Sequence, residues 1–221
     1  MENSEVNTLK EALVEVRKAH RLVYSFQERM LSLIDFIRNH LDFQDYSGVK
    51  HFSKPIRRKI GEKELVIYPT MWAWDFLYSY VFEYFIGSCD LDDGSKIQLS
   101  LVQYADTGFF DAKTDDRLAI ADFVSPEKST SKLLFIMAHT PKGKKSAWGD
   151  NWNYLDEYIL NKEYASSRHK TSVITPQGPS KTKLLLYSVT LENFVDERTS
   201  MDALKKYLLF LRKNEIELEL V

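Results

Sequence analysis

Five histidines, one cysteine and several carboxylate clusters are the side chains of this chain that could do chemistry. Their spacing decides which chemistry is open to them. His20, His40, His51, His139 and His169 never pair at the helical or strand spacing that puts two imidazoles on one metal, and Cys89 alone cannot build a thiolate site. Asp90, Asp92, Asp93 and Gly94 superficially resemble a calcium loop. The ligand spacing and the distal bidentate glutamate are missing, and Ser95 to Leu99 runs straight into a predicted strand, so an Asp-Gly hairpin turn is the better reading. Cys89 stands beside Asp90, whose charge disfavours the thiolate a nucleophile would need.

Three further constellations bear on catalysis. Gly178-Pro179-Ser180-Lys181-Thr182 contains a Lys-Thr pair, but the glycine spacing is wrong for a phosphate loop and a strand follows where a helix N-terminus is needed. Asp106, Asp111 and Lys113 mimic a metal-dependent nuclease, in which carboxylates hold Mg²⁺ and a lysine steadies the attacking water. Lys113 leads into Thr114-Asp115-Asp116, which reads as a hairpin tip rather than a strand centre. His139 leaves an apolar strand and enters a loop, a position suited to a general base, but the sequence names no partner for it. No catalytic residue can be assigned, and neither a metal nor a cofactor is expected.

Basic residues gather twice: Lys54, Arg57, Arg58 and Lys59, then Lys142, Lys144 and Lys145, followed by Trp148 and Trp152. Basic loops beside aromatics can hold phosphate backbones and stack bases. Arg57, Arg58, Lys142, Lys144, Lys145 and Trp148 are therefore the candidate nucleic-acid contacts. The formal net charge of −2 argues against a dedicated polyanion binder. A solvated lysine loop, with the tryptophans turned into the core, is the plainer reading.

The elements that must position these residues begin with the strongest pattern in the chain. Val6, Leu9, Leu13, Val16, His20, Val23, Gln27, Met30, Ile34, Ile37 and Leu41 follow one another at alternating steps of three and four. That spacing keeps one seam of a helix turned toward a partner helix. No Gly or Pro interrupts residues 5–43, which read as one helix. Two seam positions, His20 and Gln27, are polar, and polar seam residues fix register rather than add stability. Paired His20 side chains would repel once both are protonated, so a dimer joined there should weaken in acid. Leu22, Phe26, Leu31, Leu33 and Phe36 widen the stripe toward the helix end, which suits packing on the chain's own body equally well.

Residues 44–63 read as a connector broken by Pro55 and Gly61. Strands are predicted at 64–68, 79–88, 96–104, 117–124, 132–138, 183–191 and 215–221, joined by Gly and Asp turns as in an antiparallel meander. Short helices are predicted at 70–77, at 150–164 and at 200–213, the last capped by Thr199 or Ser200. Trp72, Trp74 and Phe76 open an aromatic run that could line a ligand pocket or fill a core.

The chain is rich in aromatics, at 13%, so an adequate core is available. One cysteine excludes an intramolecular disulfide and fits a reducing compartment. The acidic, amphipathic start does not read as a signal peptide, and no stretch approaches about 18 uninterrupted apolar residues. The protein is expected to be cytoplasmic and not to enter a membrane. The fold class is α+β: a long N-terminal helix (1–43), a connector (44–63), and a single domain (64–221) with an antiparallel sheet of about six strands and two further helices on it. The functional expectation is a non-catalytic assembly or adaptor protein, a homodimer or a binder of a protein partner. Its oligomerisation residues would be Leu9, Leu13, Val16, His20, Val23, Gln27 and Met30. A nucleic-acid-binding or nucleic-acid-processing protein is the alternative, and a small-ligand sensor a third.

Overall fold

The computed structural model describes residues 2–43, 47–50, 80–112, 120–144, 169–175 and 181–221. The predicted strand at 64–68, the helices at 70–77 and 150–164, and most of the 44–63 connector lie outside these residues. The chain is mixed α+β: among the described residues it has a long N-terminal helix, a six-stranded antiparallel sheet and two further α-helices. It divides into two compact units, Met1–Ile37 and Arg38–Val221.

The first unit is helical. Helix α1 spans Glu2–His40 without a break, as a sequence free of Gly and Pro allows. A Glu15–Lys18 ion pair of 2.8 Å decorates its surface; both partners are solvated, so it adds little. The last turn of α1 belongs to the second unit. There His40 O accepts a hydrogen bond from Val221 N at 3.1 Å, while Leu41 and Phe43 are buried.

The second unit is built on strands β1 Ser47–Lys50, β2 Val81–Asp90, β3 Lys96–Tyr104, β4 Lys132–Thr140, β5 Ser172–Ile174 and β6 Lys183–Thr190. They lie in the order β1-β2-β3-β4-β6-β5, every neighbouring pair antiparallel. β4 sits centrally and is buried almost throughout, as its unbroken apolar run requires. Leu91 to Ser95 turns the β2–β3 hairpin, with Gly94 at φ +78° supplying the left-handed residue. A bulge between Phe85 and Gly87 shifts the register of β2.

Alternation gives the sheet two faces. One carries the apolar cluster Val81, Val102, Tyr104, Leu134, Ile136 and Leu186. Glu83, Gln98 and Ser100, all buried and polar, share that face by register. The other face meets helix α3, Glu197–Arg212, where the Tyr207 ring lies 4.5 Å from Phe135 and 5.5 Å from Tyr187. Asp196 caps α3: its carboxylate accepts Thr199 N at 2.7 Å, and the Thr199 hydroxyl accepts Asp196 N.

Several sequence expectations are corrected. Ile120–Asp122 is one 3-10 turn, not part of a strand, because Val124 N donates to Gly108 O and ties the segment to a loop rather than a ladder. The tail 216–221 alternates in burial but joins no described strand. β1 lies within the predicted connector and β5 within a predicted polar loop. The helix cap is Asp196, not Thr199 or Ser200, and a four-residue helix α2, Gly108–Asp111, was not foreseen.

Candidate functional site

Two features of the described residues are candidates: the α1 seam and a polar chain at the start of α2. On the seam Leu9, Leu13, Val16 and Val23 are 60%, 46%, 50% and 49% exposed. His20 is exposed, Gln27 is partly covered and Met30 is buried. Off the seam, Leu22 and Tyr24 are 72% and 70% exposed. The apolar residues at heptad spacing thus stay in water over the first two-thirds of α1. A helix draws most of its stability from covering such a face, and fully burying one Leu or Val is worth roughly 1.5–3 kcal/mol.

The polar chain is assembled where β3 leaves the sheet. The Asp106 carboxylate accepts Gly108 N at 2.8 Å and so starts α2. Its other oxygen accepts the Tyr80 hydroxyl at 3.3 Å, and that hydroxyl accepts Phe109 N at 3.1 Å. Burial, with Asp106 beside it, pushes the Tyr80 phenol far above its ordinary range, so Tyr80 is a fixed donor. One turn on, Asp111 Oδ2 accepts the Thr107 hydroxyl at 2.5 Å, and Thr107 Oγ1 accepts Thr130 N at 3.1 Å. Asp111 Oδ1 lies 3.1 Å from His169 Nε2.

His169 is 9% exposed, and among the described residues its Nδ1 has no hydrogen-bond partner. Burial lowers its pKa from the ordinary 6.5 more than Asp111 raises it, and Lys132 and Lys170 push the same way as burial. The ring is therefore neutral near pH 7. A carboxylate only accepts, so the single ring proton sits on Nε2, and Nδ1 carries a bare lone pair.

Sequence reading singled out Asp106 and Asp111, and the structure brings them close along the chain. It turns both toward protein donors rather than a shared metal, and Lys113 lies outside the described residues. Among the described residues no group of three or more His, Cys, Asp or Glu could hold a metal ion. His169 entered the sequence only as one of five histidines. Its partner Asp111 is remote in sequence, so no local pattern marked the pair.

His139 finds its partner in Ser95. Its Nε2 lies 3.0 Å from Ser95 Oγ, and Asp93 accepts from Ser95 through the backbone N–H at 2.8 Å and through the hydroxyl. With the serine proton directed to Asp93, the imidazole donates to Ser95 Oγ. Ser95 is buried. A buried serine whose proton faces a carboxylate fastens the hairpin to β4; it is not poised as a nucleophile. Cys89 is likewise quiet, its thiol pushed up by burial, then by Asp90 and Asp42.

Of the basic candidates, Lys144 is exposed and the Lys142 side chain lies over Gly94. Arg57, Arg58, Lys145 and Trp148 lie outside the described residues, as do the pocket candidates Trp72, Trp74 and Phe76. No described helix is long and apolar enough to cross a membrane.

The PM0109 family model matches residues 6–215. The chain belongs to the PM0109 family. The PM0109 match takes in the α1 seam and the sheet alike. Over 40 residues the chain is 48% identical to "Uncharacterized protein PM0109" of Pasteurella multocida (strain Pm70), a stretch covering 18% of this chain and 20% of that protein. The chain thus matches about a fifth of that relative's length. No solved structure matches.

Proposed function

We propose that this PM0109-family chain is a non-catalytic assembly or adaptor protein that self-associates through its N-terminal helix. The same helix face would serve to dock a protein partner. The carrying observation is the exposure of Leu9, Leu13, Val16 and Val23 at heptad spacing along one unbroken helix. Scattered exposed apolar residues are ordinary, but a contiguous row at the coiled-coil repeat is the form of a surface meant to be covered. A second copy is the natural cover, because identical polar residues then meet at His20 and Gln27 and set the register of a parallel pair. The family match begins at residue 6, so this face lies inside what the family model describes.

The test compares the full chain with Leu13→Asp/Val16→Asp by light scattering behind size exclusion. Both residues are half-exposed, so the charges leave helix and sheet folded, as circular dichroism would check. A wild type of twice the single-chain mass and a single-copy double variant support the reading. A wild type of single-chain mass at every concentration refutes it.

A further inference from the structure

We propose that the α1 assembly is a parallel, in-register pair that comes apart in mild acid, because His20 of each copy meets His20 of the other. The inference rests on the assembly reading and adds to it a direction and a regulation.

Charge sets the direction. Lys10 and Arg17 follow the seam residues Leu9 and Val16 and form one flank of the seam, and both are exposed. Ala12 and Ala19 precede Leu13 and His20 and form the other flank. Two copies running opposite ways set like flank against like flank, so Lys10 and Arg17 would face the same residues of the second copy. Like charges held together across an interface oppose association. Two copies running the same way set each basic flank against the alanine flank, and that repulsion disappears.

A parallel pair in register places every seam residue opposite itself, so an imidazole faces an imidazole at position 20. The position is internal to the free seam: residues 9–23 are all exposed, and His20 stands between Val16 and Val23. No carboxylate is placed to hold a proton there. Three and four residues from His20 are Val16, Arg17, Val23 and Tyr24, and Arg21 comes directly after it. The nearest acid along the helix, Glu15, is paired with Lys18 at 2.8 Å. The second copy presents the same set, so two charged rings would meet beside Arg17 and Arg21 with no counter-charge between them. Histidine gains its charge between pH 8 and 5. Paired rings resist that proton and separated rings do not. The free copies therefore bind more protons, and falling pH favours them.

The test follows the full chain by sedimentation velocity at pH 8 and pH 5.5, beside His20→Gln and His20→Lys, with circular dichroism checking the fold. One pH unit below the ordinary histidine value, the dissociation constant of the pair should rise about sixfold if the pair tolerates one proton and about a hundredfold if it tolerates none. His20→Gln keeps a polar seam residue without a charge and should bind equally at both pH values. His20→Lys is charged at both and should bind weakly at both. Acid effects at the buried His139 and His169 are common to the wild type and His20→Gln, so they cancel in that comparison. A wild type as tight at pH 5.5 as at pH 8, or a His20→Gln variant that weakens as much as the wild type, overturns the proposal and leaves the assembly reading standing. A single-copy mass at both pH values overturns both.

Discussion

The carboxylate of Asp111 lies 3.1 Å from His169 Nε2 and turns its other oxygen to the Thr107 hydroxyl at 2.5 Å. A buried imidazole is thereby held through one nitrogen, while the other has no partner among the described residues. Helix α2 is short, but it is what brings Asp111 to the ring: Asp106 starts the turn, and Asp111 closes it.

Stability should rise with pH in the range just below the ordinary histidine value of 6.5. Burial holds the pKa of both His139 and His169 below the ordinary 6.5. Between the lowered folded value and 6.5 the unfolded chain binds more protons than the folded one, so the folded state gains as pH rises and loses as pH falls through that window. Urea midpoints measured across it should climb, and His169→Phe should flatten the climb. A flat wild-type profile would contradict the burial of both neutral rings.

Tyr207 separates packing from polarity. Its ring packs on Phe135 and Tyr187, which neighbour each other on the sheet, and its buried hydroxyl has no hydrogen-bond partner among the described residues. Tyr207→Phe should leave stability unchanged or raise it, by up to roughly 1–3 kcal/mol. Tyr207→Ala should cost roughly 3–5 kcal/mol through the cavity it leaves. Urea unfolding of both variants checks the pair, and a large loss in Tyr207→Phe would show that the hydroxyl has a role this packing does not give it.

Gly108 is a steric demand, not a matter of backbone freedom. A Cβ there would stand 2.8 Å from Val124 O and 3.1 Å from the Asp106 carboxylate. Gly108→Ala should therefore push Val124 away, weaken its hydrogen bond to Gly108 O, and lower stability by roughly 1–3 kcal/mol, as overpacking does. Thermal unfolding checks the loss, and hydrogen exchange at Val124 N should quicken with it. An unchanged Val124 amide would contradict the close fit.

The coarse fold was legible where the signal is local. The apolar strands β2, β3, β4 and β6 and helices α1 and α3 carry their periodicity within single segments, so pattern alone finds them. Strands β1 and β5, of four and three residues, are too short to show a period and exist only because β2 and β6 offer an edge. The reverse error fell on 117–124 and 215–221, which alternate as strands do; 120–122 forms a turn instead, and 216–221 joins no described strand. The cap of α3 was misplaced by a few residues because Thr199 is a capping residue by type; in the fold it serves as the reciprocal partner of Asp196. The candidate site was least legible, since His169 meets Asp111 only through tertiary structure.

Among the seam residues, position should matter more than hydrophobicity. Leu13→Asp places a charge on the row formed with Leu9 and Val16, whereas the same charge at Leu22, which is 72% exposed, falls off that row. Leu13→Asp should dissociate the assembly and Leu22→Asp should leave it intact, as read by sedimentation velocity. Equal effects at the two positions would point to non-specific hydrophobic association.

The central claim, assembly through α1, is tested most directly by the mass of the full chain in solution over a wide concentration range. One copy is 25.8 kDa. The account predicts a species of twice that mass which Leu13→Asp/Val16→Asp converts to a folded single copy. A single-copy mass at every concentration, unchanged by the double variant, would contradict it.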